Sequence, residues 1–297
     1  MWASRRQLPG AEGLQPVGLE ALDAAAALRR RFDAKYLMPC DAVAELLERL
    51  RLTHRVLEID GLRTFEYRTM YFDTEQLAAF RDHVQGRRRR LKARVRRYVD
   101  SGACFFELKL RGPRDCTVKR RLAHDPAMAG SLTAESVAAL QRWVQAAYGR
   151  PAPGPLGPVL EVDFRRTTLV ALDRGERLTI DIDVGMRTTS GDGSGHLDRR
   201  LALVESKSPR GLALATRELN LLGARRLESM SKYCLGVVLA LGRGRGNALQ
   251  PVLRHCAGNS PTTAQPPSGA LACTGAGAGL TDAQSGGGPA AYAERGE

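Results

Sequence analysis

The chain has 297 residues, 43% hydrophobic and 26% charged, with 45 Lys and Arg against 32 Asp and Glu for a net charge of +13. That balance excludes a disordered, fibrous or collagen-like chain and leaves room for one large or two modest globular domains. Residues 29–242 hold 39 basic and 26 acidic side chains, so the excess lies in the folding part and favours a polyanionic partner: nucleic acid, an anionic membrane face or phosphorylated small molecules.

Residues 1–28 are rich in Ala, Gly, Leu and Pro without a clear period and read as a flexible N-terminal segment. They hold no apolar signal-peptide core. The longest apolar run, Cys234 to Leu241, is far shorter than the roughly 20 residues a bilayer requires. Six scattered cysteines form neither a CxxC nor a metal-ligand pattern, so reduced thiols and a cytoplasmic location are expected.

From Arg29 the pattern changes. Arg31, Asp33, Lys35 and Leu37 alternate with Phe32, Ala34, Tyr36 and Met38, predicting a strand that Pro39 stops. Asp41 then opens a helix as its N-cap, with Val43, Leu46, Leu47 and Leu50 as the apolar stripe. Residues 66–73 read as a second strand, and Thr74 as the cap of a short helix that ends at Gly86.

The most informative stretch follows, from Gly86 to Leu122. Between Arg87 and Arg121 it carries 14 Lys and Arg against 3 Asp and Glu. Arg90, Lys92, Arg94, Arg96 and Tyr98 fall at every second residue, with Leu91, Ala93 and Val95 between them. Glu107, Lys109 and Arg111 alternate with Phe106, Leu108 and Leu110, and Lys119 and Arg121 with Val118 and Leu122. Period two predicts three strands with a cationic and an apolar face, joined by turns at 100–102 and 112–115. Arg87, Arg88 and Arg89 fall before the alternation and read as a solvated approach.

A helix is predicted from Ser131 or Thr133 to Tyr148, then a Pro- and Gly-rich linker at 150–158. Residues 158–171 and 177–184 read as strands; in the second, Arg177, Thr179, Asp181 and Asp183 share a face. Residues 201–207 form a further strand with Glu205 and Lys207 on one side. Helices at 209–222 and 231–241 close the fold, and Gly, Ala, Pro, Ser and Thr make 243–297 a disordered tail by composition. The histidines at 54, 83, 124, 196 and 255 form no constellation and read as loop or surface residues.

About eight mostly antiparallel strands with interspersed amphipathic helices make an α+β fold. Helices laid on the apolar faces would leave the charged faces enclosing a polar lumen, a closed eight-stranded barrel. Arg31, Lys35, Arg90, Lys92, Arg94, Arg96, Lys109, Lys119, Arg121, Arg177 and Lys207 on such walls would repel one another without anions. A linear polyphosphate or a nucleoside triphosphate supplies that charge, and guanidinium forks match its oxygens. Glu107, Asp181, Asp183 and Glu205 have the hard oxygens that hold Mg²⁺ or Mn²⁺. Few aromatic residues accompany the basic strands, so nucleic acid is not expected.

These residues carry a family resemblance. R-x-D-x-K-Y (31–36), YFDT (71–74), the R-x-K-x-R-x-R-x-Y run ending at Tyr98, E-L-K (107–109), K-x-R (119–121), F-x-R (164–166), R-x-T-x-D (177–181), L-V-E-S-K (203–207) and S-K-Y (231–233) occur in one order. That order resembles the VTC domain, the polyphosphate polymerase domain within the triphosphate tunnel (CYTH-like) superfamily, over about residues 29–241. The resemblance implies an eight-stranded tunnel barrel that forms inorganic polyphosphate from the terminal phosphate of ATP with a divalent metal, often Mn²⁺. It implies phosphate-handling roles for Lys35, Arg94, Arg96, Lys109, Lys119, Arg166, Arg177, Lys207 and Lys232, with Arg31, Arg90, Lys92 and Arg121 as further phosphate contacts. Glu205, with Glu107 and Asp181, would hold metal. ATP, pyrophosphate or polyphosphate would be the partners, and a membrane-protein partner is compatible with it. Asp33 stands where many relatives have Glu, and Ser229 where polymerising relatives can carry a lysine. Hydrolysis of triphosphates and metal-free binding of polyanions are the two competing functions.

Overall fold

Alternating charge along the strands is realised as one strongly curled antiparallel sheet. The computed structural model describes residues 7–25, 32–112, 117–209, 213–228, 230–243 and 249–259. The strands are β1 (Pro16–Val17), β2 (Phe32–Pro39), β3 (Arg55–Leu57), β4 (Thr64–Asp73), β5 (Leu91–Tyr98), β6 (Cys104–Arg111), β7 (Thr117–Ala123), β8 (Gly157–Ala171), β9 (Glu176–Thr188), β10 (Ser194–Leu197), β11 (Leu201–Ser208), β12 (Arg225–Leu227) and β13 (Cys256–Asn259). The helices are α1 (Leu19–Ala25), α2 (Asp41–Leu50), α3 (Ala78–Val84), α4 (Ala134–Tyr148), α5 (Leu214–Leu221), α6 (Lys232–Ala240) and α7 (Gln250–Leu253).

The main path of the sheet runs β12-β2-β11-β9-β8-β4-β5-β6-β7. The expected closed eight-stranded barrel is not formed: among the described residues the end strands β7 and β12 do not pair with each other. The reason is visible at both ends. β12 has only three residues, and β7 is exposed along most of its length with Lys119, Arg120 and Arg121 on it. Charge and shortness are what keep sheet edges unpaired. The sheet is nevertheless far from flat. Five strand steps separate β6 from β11, which in a flat sheet would set them about 24 Å apart. Yet Glu205 of β11 acts electrostatically on Lys109 of β6, so the two walls face each other across a groove.

Helices cover the convex side. α4 presents Leu140, Val144 and Tyr148 to Leu91, Ala93, Val95, Phe106, Leu108 and Leu110, the apolar sides of β5 and β6. It begins at the Thr133 cap and ends at Gly149 in the left-handed region. α2 and α5 pack Val43, Leu46, Leu47, Ala215 and Leu219 on the outward sides of β2, β9 and β11. α2 is preceded by Cys40 at its cap position, and Asp41 sits in the first turn rather than at the expected cap.

α6 is the exception and lies on the concave side, against Leu160, Val162 and Phe164 of β8. Gly236 permits this close approach, since a Cβ there would stand 2.2 Å from Leu160 Cδ2. One buried carboxylate anchors the helix. Asp73, at the end of β4, accepts the Tyr233 hydroxyl of α6 at 2.6 Å and the backbone N–H groups of Ala79 and Phe80 in α3 at 2.9 and 3.0 Å. α3 starts at Ala78, later than a Thr74 cap would place it: Leu77, in the left-handed region, holds the cap position, and Thr74 Oγ1 accepts from Ala78 N at 3.0 Å from the turn before it.

Both boundaries of the folded part move outward. Within the segment expected to be flexible, Leu8, Ala11, Leu14, Val17 and Leu22 are buried, and β1 pairs with β3. Within the expected tail, β13 pairs with β10 and Val252 of α7 is buried. Residues 260–297 lie outside the described residues. His54 and His124 are buried rather than superficial. Among the described residues, no helix is long and apolar enough to cross a membrane. Cys40, Cys104, Cys234 and Cys256 are free thiols.

Gly236→Ala should lower stability by about 1–3 kcal/mol, the usual range for overpacking a close-packed core. Chemical denaturation of the two proteins measures it, and an unchanged midpoint would mean that α6 does not sit as tightly on β8 as described.

Candidate active site

Strand alternation collects the charged residues on the concave face. β5 contributes Lys92, Arg94 and Arg96, β6 Glu107 and Lys109, and β7 Lys119 and Arg121. Register sets Lys92 beside Lys109 and Lys109 beside Lys119, three lysines abreast across three strands. Like charges in directly opposed positions destabilise a sheet, so this row is costly in the empty protein. The facing wall supplies Lys35 from β2, Arg166 from β8, Arg177, Thr179 and Asp181 from β9, and Glu205 and Lys207 from β11. Lys35 stands opposite Glu205 and Arg166 opposite Asp181. Lys232 enters from the first turn of α6.

Three carboxylates hold this cationic surface, each differently. Glu107 is fully buried; its Oε2 accepts from Arg94 Nε at 2.7 Å and lies 3.9 Å from Arg96 Nη1, and its Oε1 pairs with Lys119. Asp181 accepts a bidentate fork from Arg166 at 2.6 and 2.8 Å and also pairs with Lys232. Glu205 pairs with lysines, Lys207 at 2.9 Å and Lys35 at 3.7 Å, and keeps 19% of its side chain exposed.

The protonation equilibria follow this geometry. Burial pushes the Glu205 carboxyl up, but Lys207, Lys35, Lys109 and Arg166 outweigh it and hold it well below the usual carboxylate range. Burial opposes ionisation of Asp181 too, yet Arg166 and Lys232 bring it down to about 2. The lysines move the other way. Burial, followed by their cationic neighbours, lowers Lys92 to about 8 although Cys234 opposes it. Burial lowers Lys119 and Lys207 to about 8 as well, each partly rescued by its carboxylate. Lys109 falls well below the ordinary lysine value through burial and Arg94, with Glu205 pulling in the opposite direction.

Aromatic rings form the floor beneath these cations. Tyr67 and Phe164 stack with centroids 5.1 Å apart and planes 7° from parallel. Arg96 and Arg166 lie over both rings at 5.1–5.7 Å, and Lys232 Nζ is 4.5 Å from the Phe164 centroid. Arg121 lies 4.9 Å over Phe105. Such contacts retain a cation on a low-dielectric wall without neutralising it.

Some expected residues lie elsewhere. Arg31 is outside the described residues, as is Ser229. Arg90 stands just before β5, its guanidinium donating to the Arg87 carbonyl. Arg87, Arg88 and Arg89 are exposed. Asp183 does not share the Asp181 face. It adopts φ 51° beside a register shift between β8 and β9, and pairs with Arg165 at 2.6 Å. Glu161 and Asp163 face outward, within 4.0 Å of Arg187.

The described residues contain no cluster of three or more His, Cys, Asp or Glu side chains that could hold a metal ion. Glu107 and Asp181 have their oxygens engaged by arginine and lysine. Glu205 fits a divalent metal better: its partners are flexible lysines and it faces the groove. Mg²⁺-like ions commonly take one or two carboxylates and complete their shell with waters and substrate phosphate oxygens.

The VTC domain model matches residues 30–241, and the chain belongs to that family. No curated protein matches the chain. Solved structures similar to it include a candidate adenylyl cyclase from Hippeastrum reported to have a dominant triphosphatase activity, at 17% identity and a TM-score of 0.43, covering 69% of this chain and 94% of that one. A candidate adenylate cyclase from Bacillus halodurans is 16% identical with a TM-score of 0.43, covering 67% of this chain and 93% of its own. A candidate adenylate cyclase from Vibrio parahaemolyticus is 11% identical with a TM-score of 0.39, covering 69% and 97%.

Two outcomes follow from the charge arrangement. Glu107→Gln leaves the buried Arg94 uncompensated, and should cost about 3–5 kcal/mol in denaturant unfolding. The empty protein should also gain stability as pH rises from about 7 to 10. Lys92 and Lys207 titrate at about 8 when folded but near 10.4 when unfolded. Over that window the unfolded chain binds more protons, so stability increases with pH. A melting temperature that falls across the same window would contradict these lysine environments.

Proposed function

We propose that the groove is a phosphotransferase site that forms inorganic polyphosphate from the terminal phosphate of ATP. The observation that carries this reading is the row Lys92–Lys109–Lys119, abreast on adjacent strands and opposed by further cations across the groove. A linear chain of phosphates compensates such a row along its whole length, which a single small anion cannot do. Membership of the VTC domain family supports the same substrate class.

In this reading Arg94, Arg96 and Arg166 are preset by Glu107, Asp181 and the aromatic floor, and they orient phosphate oxygens in fixed directions. The lysines neutralise charge. Lys109, held well below the ordinary lysine value by burial and Arg94, gains from a bound anion. Lys35, Arg121, Arg177, Lys207 and Lys232 extend the contact along both walls. A Mn²⁺ or Mg²⁺ ion held by Glu205 and substrate oxygens would neutralise charge on the transferred phosphoryl group. A terminal oxygen of the growing chain attacks the γ-phosphorus; the new P–O–P bond forms as the bond to the leaving ADP oxygen breaks. The protein contributes position and charge, the main demands of phosphoryl transfer. No covalent enzyme intermediate is required.

Incubation with ATP and Mn²⁺ should yield polyphosphate of increasing length together with ADP. Glu205→Gln should lower kcat by about a hundredfold or more, the scale of losing one electrostatic element of a phosphoryl- or acyl-transfer site. Orthophosphate release from tripolyphosphate without polymer would instead make the chain a triphosphatase. Tight, metal-insensitive polyphosphate binding without turnover would make it a binding module.

A further inference from the structure

The charged face changes character at one end. Register places successive rows across β5, β6 and β7: Lys92–Lys109–Lys119, then Arg94–Glu107–Arg121, then Arg96–Phe105–Ala123. Beyond the last row, Tyr98 of β5 stands beside Tyr67 of β4. The face that carries three lysines abreast therefore ends in aromatic rings. Alternation explains the turn of Phe105 onto this face: its neighbour Phe106 points outward to the α4 side, where it stacks on Trp143.

The rings form a continuous series. Phe164 stacks on Tyr67, Tyr67 meets Tyr98 at a centroid distance of 5.0 Å, and Tyr98 meets Phe105 edge-on at 6.0 Å. The series rises toward solvent, because Phe164 and Tyr67 are buried, Tyr98 and Phe105 are half-buried, and Arg121 over Phe105 is exposed. The two inner rings have a structural task as the floor under Arg96 and Arg166. The outer two keep part of their surface in water beside a guanidinium plane. A half-exposed ring next to an arginine is a stacking platform for a planar, uncharged group.

The spacing matches one nucleotide. Four residues separate the lysine row from the Phe105 row along each strand, about 13 Å, which leaves room for a triphosphate and a sugar between them. Glu205, the carboxylate best suited to a metal, acts across the groove on Lys109 in the lysine row. Metal and terminal phosphate thus belong at one end, and the rings lie at the other.

We infer that Phe105, Tyr98 and Arg121 form a nucleobase subsite that takes the adenine ring of the donor nucleotide, whose terminal phosphate lies at the Lys92–Lys109–Lys119 row. This rests on the reading of the groove as a site for ATP. The base stacks on the exposed part of Phe105, buttressed by Tyr98, and the Arg121 side chain closes on its other face. One such platform suits a single base; a nucleic-acid strand needs a succession of them. The subsite gives the groove a polarity, with the donor's base at the Tyr98 end and the growing phosphate chain meeting it from the lysine row. Its three residues bind the donor and take no part in the transfer step.

The test compares ATP with ribose 5′-triphosphate, which keeps the sugar and phosphates and lacks the base. Both are titrated into the full chain without divalent metal, so that no turnover intervenes. The wild-type protein should bind ATP about tenfold more tightly, toward the lower end of what base–aromatic stacking contributes. Phe105→Leu retains apolar bulk at a half-buried position and should melt within a few degrees of the wild type. Its ATP affinity should fall to that of ribose 5′-triphosphate, whose own binding stays unchanged. Phe105→Tyr, which keeps a ring, should keep the preference. Equal wild-type affinity for the two ligands, or a preference that survives in Phe105→Leu, overturns the subsite while the groove stands. A parallel loss of both ligands in Phe105→Leu also overturns it, since that would mark a structural role. If the wild-type protein binds neither ligand, the reading of the groove itself fails.

Discussion

Repulsion among cations on one concave face is the constraint to which the rest of the molecule is fitted. The sheet curls so that two rows of lysines and arginines confront each other, with Glu107, Asp181 and Glu205 placed between them. Each carboxylate has a separate task. Glu107 ties β5, β6 and β7 together through Arg94 and Lys119, and Asp181 ties β8, β9 and α6 through Arg166 and Lys232. Glu205 alone retains access to the groove. The helices on the convex side contribute the apolar burial that makes such a face tolerable, because hydrophobic stabilisation scales with area and can offset a local electrostatic cost.

The guanidinium groups and the ammonium groups divide the work. Arginine presents a planar fork, fixed here by carboxylates below and by the Tyr67–Phe164 stack beneath. Lysine presents a compact charge on a flexible stem. Arg94 and Arg166 thus supply direction, while Lys92, Lys109, Lys119 and Lys207 supply charge that can follow a moving ligand. The proposed phosphate-chain site would use both.

Much of this was legible in the chain because period two is a strong signal. The alternation around Arg94, Lys109, Lys119 and Glu205 put the right residues on one face, and Thr133 marked the start of its helix. Three things were not. Closure depends on whether short, charged edges meet, and strand periodicity carries no information about that. The turn of Asp183 to the outer face depends on one residue with positive φ, which composition does not mark. The packing of Leu8 and Leu14 and the β13–β10 pairing arise from tertiary contacts that aperiodic, Gly- and Ala-rich segments do not announce.

Asp73 gives the groove a mechanical property. By accepting from the α3 backbone and the Tyr233 hydroxyl together, it ties α3 and α6 into one jaw at the end of β4. His83 rides on one arm of that jaw and Lys232 on the other. Under the proposed function, a phosphate chain would pass two arms that share one anchor, with the flexible lysine stems as the adjustable part of the site.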